Sequence, residues 1–338
     1  MLARIRQRFW PVAVLSVVAV LITACGSAGK SAGGDVSDVS LTLGDQANQL
    51  QTLVTAAGVM KDAPYKFKWA EFQGAAPLFQ AMQSGSVDTG TAADLPTLQA
   101  LSGGLPIKLV AASTGTGATN GILVPQNSPI RTVADLKGKN VVVSSARGSI
   151  AEYLLAKSLL DNGLTYGDVK VQYVLPTAAQ AAFSSGKIGV WAIFGIYRAI
   201  ALQQGARQIV DGQAGRTSGI GFISAAGKTL ADPAKKAALA DFLKRLAKAF
   251  DWAAANLDAY ATVYAQKNGV DPAVAKVFVT TTRSQLLPVT PDIVTKVQAV
   301  SVLMHGIGSL PTDVKVAPVV DTSAFGSAPS PSASASHQ

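Results

Sequence analysis

The sequence predicts an α/β protein with mostly parallel sheets and a helical final third. Three observations carry this. Short apolar runs alternate with amphipathic stretches from Val39 to Ile193, as in strands joined by helical crossovers. A helix, a Ser-Gly stop and a strand occur at 76–88 and again, in similar pattern, at 179–189. Beyond Gly219 the alternation gives way to long helical segments, three of them opened by proline, which suits the first helical turn.

Taken in order, Val39–Leu43 reads as a strand and Gln49–Met60 as a helix. Tyr65–Phe72 begins with period-two alternation, the mark of a strand. Ala76–Gln83 is a short helix closed by Ser84-Gly85, and Val87–Thr91 is the next strand. Leu95–Leu101 is helical and Ile107–Ala112 returns to strand. A second unit has strands at Val141–Ser144, Val169–Val174 and Ile188–Ile193, with helices at Ile150–Leu160 and Ala178–Phe183. Gly221–Ala225 is a strand, followed by helices over Pro233–Ala254, Leu257–Asn268, Pro272–Thr280 and Pro291–Leu303. The repeated helix–stop–strand unit is an ordinary turn, with glycine ending each helix, or the sign of two related lobes. We favour the second reading, in which the C-terminal edges of two sheets share one cleft, where open α/β sheets bind ligands.

The two ends are read differently. Arg4, Arg6 and Arg8 precede an apolar core from Phe9 to Ile22, and small residues then lead to Cys25. That order matches a secretory signal, and the core is shorter than the ~20 residues needed to span a bilayer. Leu21-Ile-Thr-Ala-Cys25 also resembles a bacterial lipobox, which implies lipidation of Cys25 and an anchor on the outer face of the cell membrane. We therefore expect a signal peptide at 1–24, a lipidated flexible tether at 25–38, and a disordered Ser/Ala/Pro tail at 319–338.

Composition narrows the function. Of 338 residues, 49% are apolar and 14% charged, enough to bury the cores of two lobes. The net charge of +9 includes the three signal arginines, and the rest is scattered, without a basic block or aromatic interleaving. A nucleic-acid footprint is not supported. One cysteine allows no intramolecular disulfide. With two histidines, His305 and His337, and no HExxH, CxxC, Gly-x-Ser-x-Gly or phosphate-loop pattern, no metal, cofactor or hydrolytic site is expected. This poverty argues for binding without turnover.

The local signals agree. Ser144-Ser-Ala-Arg147-Gly148-Ser149-Ile-Ala-Glu152 lies between a predicted strand and helix. Ser149 and Glu152 fit a capping box, Gly148 permits a close turn with N–H groups for an anion, and Arg147 offers a forked donor. The same stretch also reads as a well-capped helix with a solvated arginine. Asp94 suits a helix N-cap and Pro96 the first turn, so their loop is either structural or faces a ligand. Trp191 reads as core, while Phe194 and Tyr197 can wall an apolar subsite. Phe242, Phe250 and Trp252 read as helix packing.

From Val39 to Val316 the chain resembles the substrate-binding lipoproteins of ABC importers in the nitrate/sulfonate/taurine group, nearest in its motifs to the aliphatic-sulfonate branch. The resemblance is carried by Gly44-Asp-Gln46, Trp69-Ala-Glu-Phe72, the 78–85 helix with Val87-Asp-Thr-Gly-Thr91, and Ala93-Asp-Leu-Pro96. It continues through Ser128-Pro-Ile-Arg-Thr-Val-Ala-Asp-Leu-Lys-Gly138 to Trp191-Ala-Ile-Phe194. It implies a two-lobed periplasmic binding protein type II fold, with lobe 1 over 39–120 plus 219–318 and lobe 2 over 121–218. The implied cleft involves Gln46, Ala93, Asp94, Arg147, Gly148, Ser149, Phe194 and Tyr197. The implied partners are a small organic anion and an ABC permease with its ATPase, and the absence of a coiled coil or repeat array favours a monomer. Sulfonate binders commonly read Trp-Ala-Ile-Trp-Asp-Pro-Tyr where this chain has Trp191-Ala-Ile-Phe-Gly195-Ile196-Tyr197. Their Gly-Asp pair is Ala93-Asp94 here, and Gly189 replaces an acid before the tryptophan segment. Nitrate, taurine and thiamine-precursor pyrimidines are therefore alternative ligands, and a non-transport surface sensor or adhesion role is an alternative function. The related pyrimidine-synthase branch uses histidine and a cysteine-rich motif that this chain lacks.

Overall fold

The computed structural model describes residues 36–325. Cys25, the signal segment and residues 326–338 lie outside the described residues. Along the chain, β1 (Ser40–Gln46), α1 (Gln49–Ala57), β2 (Lys66–Phe72), α2 (Ala75–Gln83), β3 (Thr89–Ala93), α3 (Asp94–Ser102) and β4 (Ile107–Thr114) form the first unit. The second comprises β5 (Asn120–Val124), β6 (Asn140–Val143), α4 (Ile150–Asp161), β7 (Lys170–Tyr173), α5 (Pro176–Ser184), β8 (Trp191–Phe194), α6 (Gly195–Gln203) and β9 (Arg207–Asp211). The chain then returns through β10 (Ile220–Ala226), α7 (Gly227–Ala231), α8 (Pro233–Ala255), α9 (Leu257–Asn268), α10 (Pro272–Thr281), β11 (Gln285–Leu287) and α11 (Pro291–Gly306).

Two mixed sheets result, in the orders β11-β4-β10-β3-β1-β2 and β7-β6-β8-β5-β9. Each is centred on a parallel trio: β1 between β2 and β3, and β6 between β7 and β8. The antiparallel share comes from strands that cross over. β10 pairs antiparallel with β3 and β4, and β5 pairs antiparallel with β8 and β9. Apart from the extra edge strand β11, both sheets thus have the same strand arrangement, with α2–β3 and α5–β8 in corresponding places, as the repeated sequence unit suggested. The two crossing segments run side by side. Gly115 N–H donates to the Gly219 carbonyl at 2.7 Å, and a Cβ at Gly219, whose φ is +67°, would lie 2.2 Å from the Gly115 oxygen. That close backbone approach requires glycine.

The cores follow from the patterns. Leu41 and Leu43, on one face of β1, are buried with Leu53, Phe242, Leu246, Tyr264 and Phe278. A second cluster joins Leu95, Leu98, Phe222 and Met304 to Tyr153 and Ala156 of α4, so the lobes share apolar contacts. Helix starts follow the proline signals: Asp232 and Asp271 accept two backbone N–H bonds each, ahead of Pro233 and Pro272, and Thr290 caps α11 ahead of Pro291. Buried Asp88 accepts from Thr42 N–H at 2.8 Å, Thr229 Oγ1 at 3.0 Å and Lys235 Nζ at 2.7 Å, tying β1 to α8.

Five elements depart from the sequence reading. The strands β5, β9 and β11 and the helices α6 and α7 carry no pattern long enough to announce them. Their existence depends on partners far along the chain, as in the pairing of β11 with β4. Residues 319–325, expected as part of the tail, are instead docked on lobe 1. Val320 bridges Leu109, Asp321 N–H donates to the Leu109 carbonyl at 3.0 Å, and Ala324 is buried in the first core. The apolar residues of 319–325 dock along β4 and α8 instead of staying in water.

Candidate ligand-binding cleft

In each sheet the parallel strands end toward the other lobe, and each is followed by a helix start. Gln46 ends β1 and Ala47 follows it, Ala75 follows β2, and Ala92 and Ala93 end β3. From lobe 2, Ser145–Ser149 follow β6 and Phe194–Ile196 span the β8–α6 junction. All of these line one cavity of about 520 Å³, within the range of small-molecule sites. The N-termini of α2 and α6 have no side-chain cap; Gly195 N–H already donates to the Thr119 carbonyl at 2.9 Å and Pro77 has no N–H, which leaves the N–H groups of Ala75, Ala76, Ile196 and Tyr197 as the first-turn donors at the cleft.

The lobes meet across this cleft. Thr177 Oγ1 donates to Gln73 Oε1 at 2.9 Å. Gly148, at φ +78°, sits so near α3 that a Cβ there would lie 2.6 Å from Gln99 Cγ. Glycine at this position serves both the left-handed backbone and the interlobe approach.

Seven of the eight residues expected at the cleft line the cavity. Gln46 Nε2 donates to the Thr91 carbonyl at 2.6 Å, fixing its amide across β1 and β3. Ala93, Gly148, Ser149, Phe194 and Tyr197 also line it. Arg147 is exposed at the cleft, its guanidinium 5.8 Å from the Tyr173 ring centroid, a cation–π distance. No hydrogen bond or ion pair is found for it among the described residues. Asp94 is the exception. It is fully buried, its carboxylate accepting from Leu95 N–H at 2.6 Å and from the Ser218 hydroxyl. Burial pushes its carboxyl up to about 6. Asp94 therefore ties the returning crossover to α3 and does not line the cavity.

The capping box is displaced by one residue. Ser149 Oγ accepts from Glu152 N–H at 3.3 Å, but Glu152 Oε2 reaches back to Gly148 N–H at 2.5 Å, not to the cap residue. Gly148 N–H is thus already paired and is not free to serve the expected anion cradle. Glu152 Oε1 accepts from Tyr173 Oη at 2.9 Å, Ser309 Oγ at 3.0 Å and Tyr166 Oη at 3.1 Å. The helix start is held from lobe 2 and, through Ser309, from lobe 1.

Sequence reasoning missed part of the lining. Arg283, between α10 and β11, lines the cavity and is exposed. Phe250 lines it too, instead of serving as helix packing alone, together with Tyr260, Tyr264 and Phe278. The Tyr264 hydroxyl is buried with no hydrogen-bond partner among the described residues. These residues come from the C-terminal helices, far from the strand-end motifs, and helical periodicity does not distinguish a core face from a cavity face. Arg147 and Arg283 are the charged lining residues, and no Asp or Glu lines the cavity. Nearby Asp45 is buried and turned onto α1, accepting from Leu50 N–H at 3.0 Å and Gln51 N–H at 2.8 Å. Burial pushes it up to about 6. At Gly195, where sulfonate binders commonly carry an acid, a Cβ would meet no atom within 4 Å, so the departure leaves open space.

Two mixed sheets of like topology, two crossing segments and a cleft between facing strand ends define the two-lobed fold of the periplasmic binding proteins. The chain belongs to the NMT1/THI5-like family, whose model matches residues 70–259. It is 32% identical over 193 residues to a protein of Escherichia coli (strain K12), a match spanning 56% of this chain and 60% of that relative. It is 28% identical over 315 residues to one of Bacillus subtilis (strain 168), covering 91% and 93%. Both carry the name "Putative aliphatic sulfonates-binding protein". Among solved structures, the alkanesulfonate-binding protein SsuA from Xanthomonas axonopodis pv. citri, bound to MOPS, superposes with a TM-score of 0.77 at 29% identity, covering 83% of this chain and 97% of that one. The desulfurization enzyme DSZB, at 16% identity and a TM-score of 0.61, shares the fold alone.

Proposed function

We propose that this protein is an extracytoplasmic solute receptor of an ABC importer, which binds a small organic anion of the aliphatic-sulfonate class and presents it to a membrane permease. One observation carries the reading: the cavity between the lobes is lined by two unpaired arginines and by helix N-termini, and by no carboxylate. Such a lining favours an anion. The names of the relatives support the sulfonate class, and the contacts across the cleft support closure around the solute, which a permease would read as a population shift. A receptor rather than an enzyme is supported by the reagents at hand. Cys25 belongs to the export segment, and His305 Nδ1 lies 3.1 Å from the Leu310 carbonyl at the end of α11. The lipobox-like Leu21–Cys25 supports a lipid anchor on the outer face of the cell membrane.

The test is calorimetric titration of the mature chain, from residue 26, with alkanesulfonates, taurine, nitrate, sulfate and hydroxymethyl-pyrimidine. Sulfonate binding is expected, weakened about tenfold or more by either Arg147→Ala or Arg283→Gln, as for a lost hydrogen bond to a charged group. Pyrimidine binding with no heat from any sulfonate would refute the anion reading and move specificity to Phe194 and Tyr197.

A further inference from the structure

Two carboxylates stand behind the cavity wall, at the ends of neighbouring parallel strands. Asp45 of β1 and Glu71 of β2 are register partners, and between them they hold the turn that carries β1 into α1. Asp45 accepts from the N–H groups of Gln46, Leu50 and Gln51 at 2.8, 3.0 and 2.8 Å, and Glu71 accepts from Asn48 N–H at 3.0 Å. That turn is part of the wall, for Gln46, Ala47, Gln49 and Leu50 line the cavity. Asp45 is buried and Glu71 reaches the surface, and no ion pair is found for either among the described residues. The titratable groups around the pair belong to the cavity. Tyr197 of α6 lies within electrostatic reach of Glu71, Tyr260 of α9 within reach of Asp45, and Tyr264 of α9 within reach of both; all three line the cavity with Arg147 and Arg283. Asp94, a third carboxyl at these strand ends, is committed to Leu95 N–H and Ser218. Burial pushes Asp45 up to about 6, and partial burial together with the Asp45 charge pushes Glu71 up to about 7. The pair therefore changes charge near neutrality, and an anion on the other side of the wall opposes that charge.

We infer that Asp45 and Glu71 form a proton-uptake site linked to the cavity, so that an anionic ligand binds together with a proton taken from solvent. The inference rests on the anion reading and adds regulation to it. Neutralising one carboxylate removes a like charge from behind the ligand, so affinity rises as pH falls. By reciprocity the bound anion raises the affinity of the pair for protons. A protonated carboxyl keeps acceptor capacity, so the lining turn remains held while its charge changes.

The test is calorimetric titration of the mature chain with ethanesulfonate in cacodylate and in imidazole, buffers that differ in ionisation enthalpy and are not sulfonates. For a one-unit rise at one carboxyl, about half a proton per ligand is taken up near pH 6.5. The same rise makes binding about sevenfold tighter at pH 5.5 than at pH 8. Glu71→Gln and Asp45→Asn, which keep an oxygen for the turn, should each lower the uptake and flatten the pH dependence. Glu71→Gln, at the surface, serves if Asp45→Asn does not fold. Ethanesulfonate binding without proton uptake in the wild type overturns the linkage and leaves the anion reading standing. Undiminished uptake in the folded variants assigns the proton to another group, Asp94 first, and overturns the pair. No binding of any sulfonate from pH 5.5 to 8 overturns both.

Discussion

Glu152 offers a sharp test of how the candidate site is held. Its carboxylate is fully buried and gathers four neutral donors: Gly148 N–H at 2.5 Å, Tyr173 Oη at 2.9 Å, Ser309 Oγ at 3.0 Å and Tyr166 Oη at 3.1 Å. Replacing it with leucine removes every acceptor while keeping similar bulk. The two tyrosines, 3.2 Å apart at their oxygens, can still pair with each other. Gly148 N–H and the Ser309 hydroxyl are left as orphans, and each buried orphan costs about 1–3 kcal/mol. Glu152→Leu should therefore lower unfolding free energy by roughly 3 kcal/mol. Glu152→Gln keeps one oxygen for Gly148 N–H, and hydroxyls can rotate to accept from its NH₂, so about 1 kcal/mol is expected. Urea titration followed by circular dichroism reads both, with an unchanged slope showing that the same surface unfolds. A Glu152→Leu midpoint within error of the wild type would refute the network, as would equal losses for leucine and glutamine.

Gly148→Ala should act on closure as well as on folding. The left-handed backbone costs about 1–2 kcal/mol for a non-glycine residue, and the added Cβ, 2.6 Å from Gln99 Cγ, would wedge the lobes apart. Sulfonate affinity should fall by about tenfold or more, in line with ~1.4 kcal/mol, and the ligand-induced fall in radius of gyration by small-angle scattering should vanish; a normal decrease would refute the wedge. The pH profile tests Asp94. Its folded pKa, about 6, lies above the ordinary carboxyl value of 3.8, so the protonated form contributes stability that is fully present below about 3.8 and lost as pH rises through about 6. The full amplitude is about 3 kcal/mol. Subtracting the profile of Asp94→Asn from that of the wild type should expose this decline between pH 4 and 6.5, and a flat difference would show that burial does not perturb the carboxyl.

The two-lobed architecture supplies most of what a receptor of this kind needs from simple parts. Strand ends aim helix N-termini at a common space, and the crossing segments allow the lobes to approach one another around it. The arginines have no carboxylate partner among the described residues, while Asp45 and Asp94 are buried and turned onto helix starts or the returning crossover. An anion thus meets donors and positive charge without a competing acid on the cavity wall. The open space at Gly195 adds room where sulfonate binders commonly carry a side chain.

Local signals determined a good deal by themselves. Period-two alternation and apolar runs located β1, β2, β4 and β10, and prolines following Asp232, Asp271 and Thr290 marked the starts of α8, α10 and α11, because strand pleat and helix capping act over a few residues. The Ser149–Glu152 spacing announced a capped helix at the cleft for the same reason. Tertiary structure decided the rest. β5, β9 and β11 are strands through their distant partners. Asp94 reads as a cap or a ligand contact until Ser218, far along the chain, closes on it. Glu152 skips the cap residue for Gly148 because hydroxyls from three other segments fix its position. Arg283 and the aromatic lining residues Phe250, Tyr260, Tyr264 and Phe278 lie far in sequence from every strand-end motif. Whether such residues face a core or a cavity depends on what packs opposite them, a property of the assembled lobes that no short-range periodicity encodes.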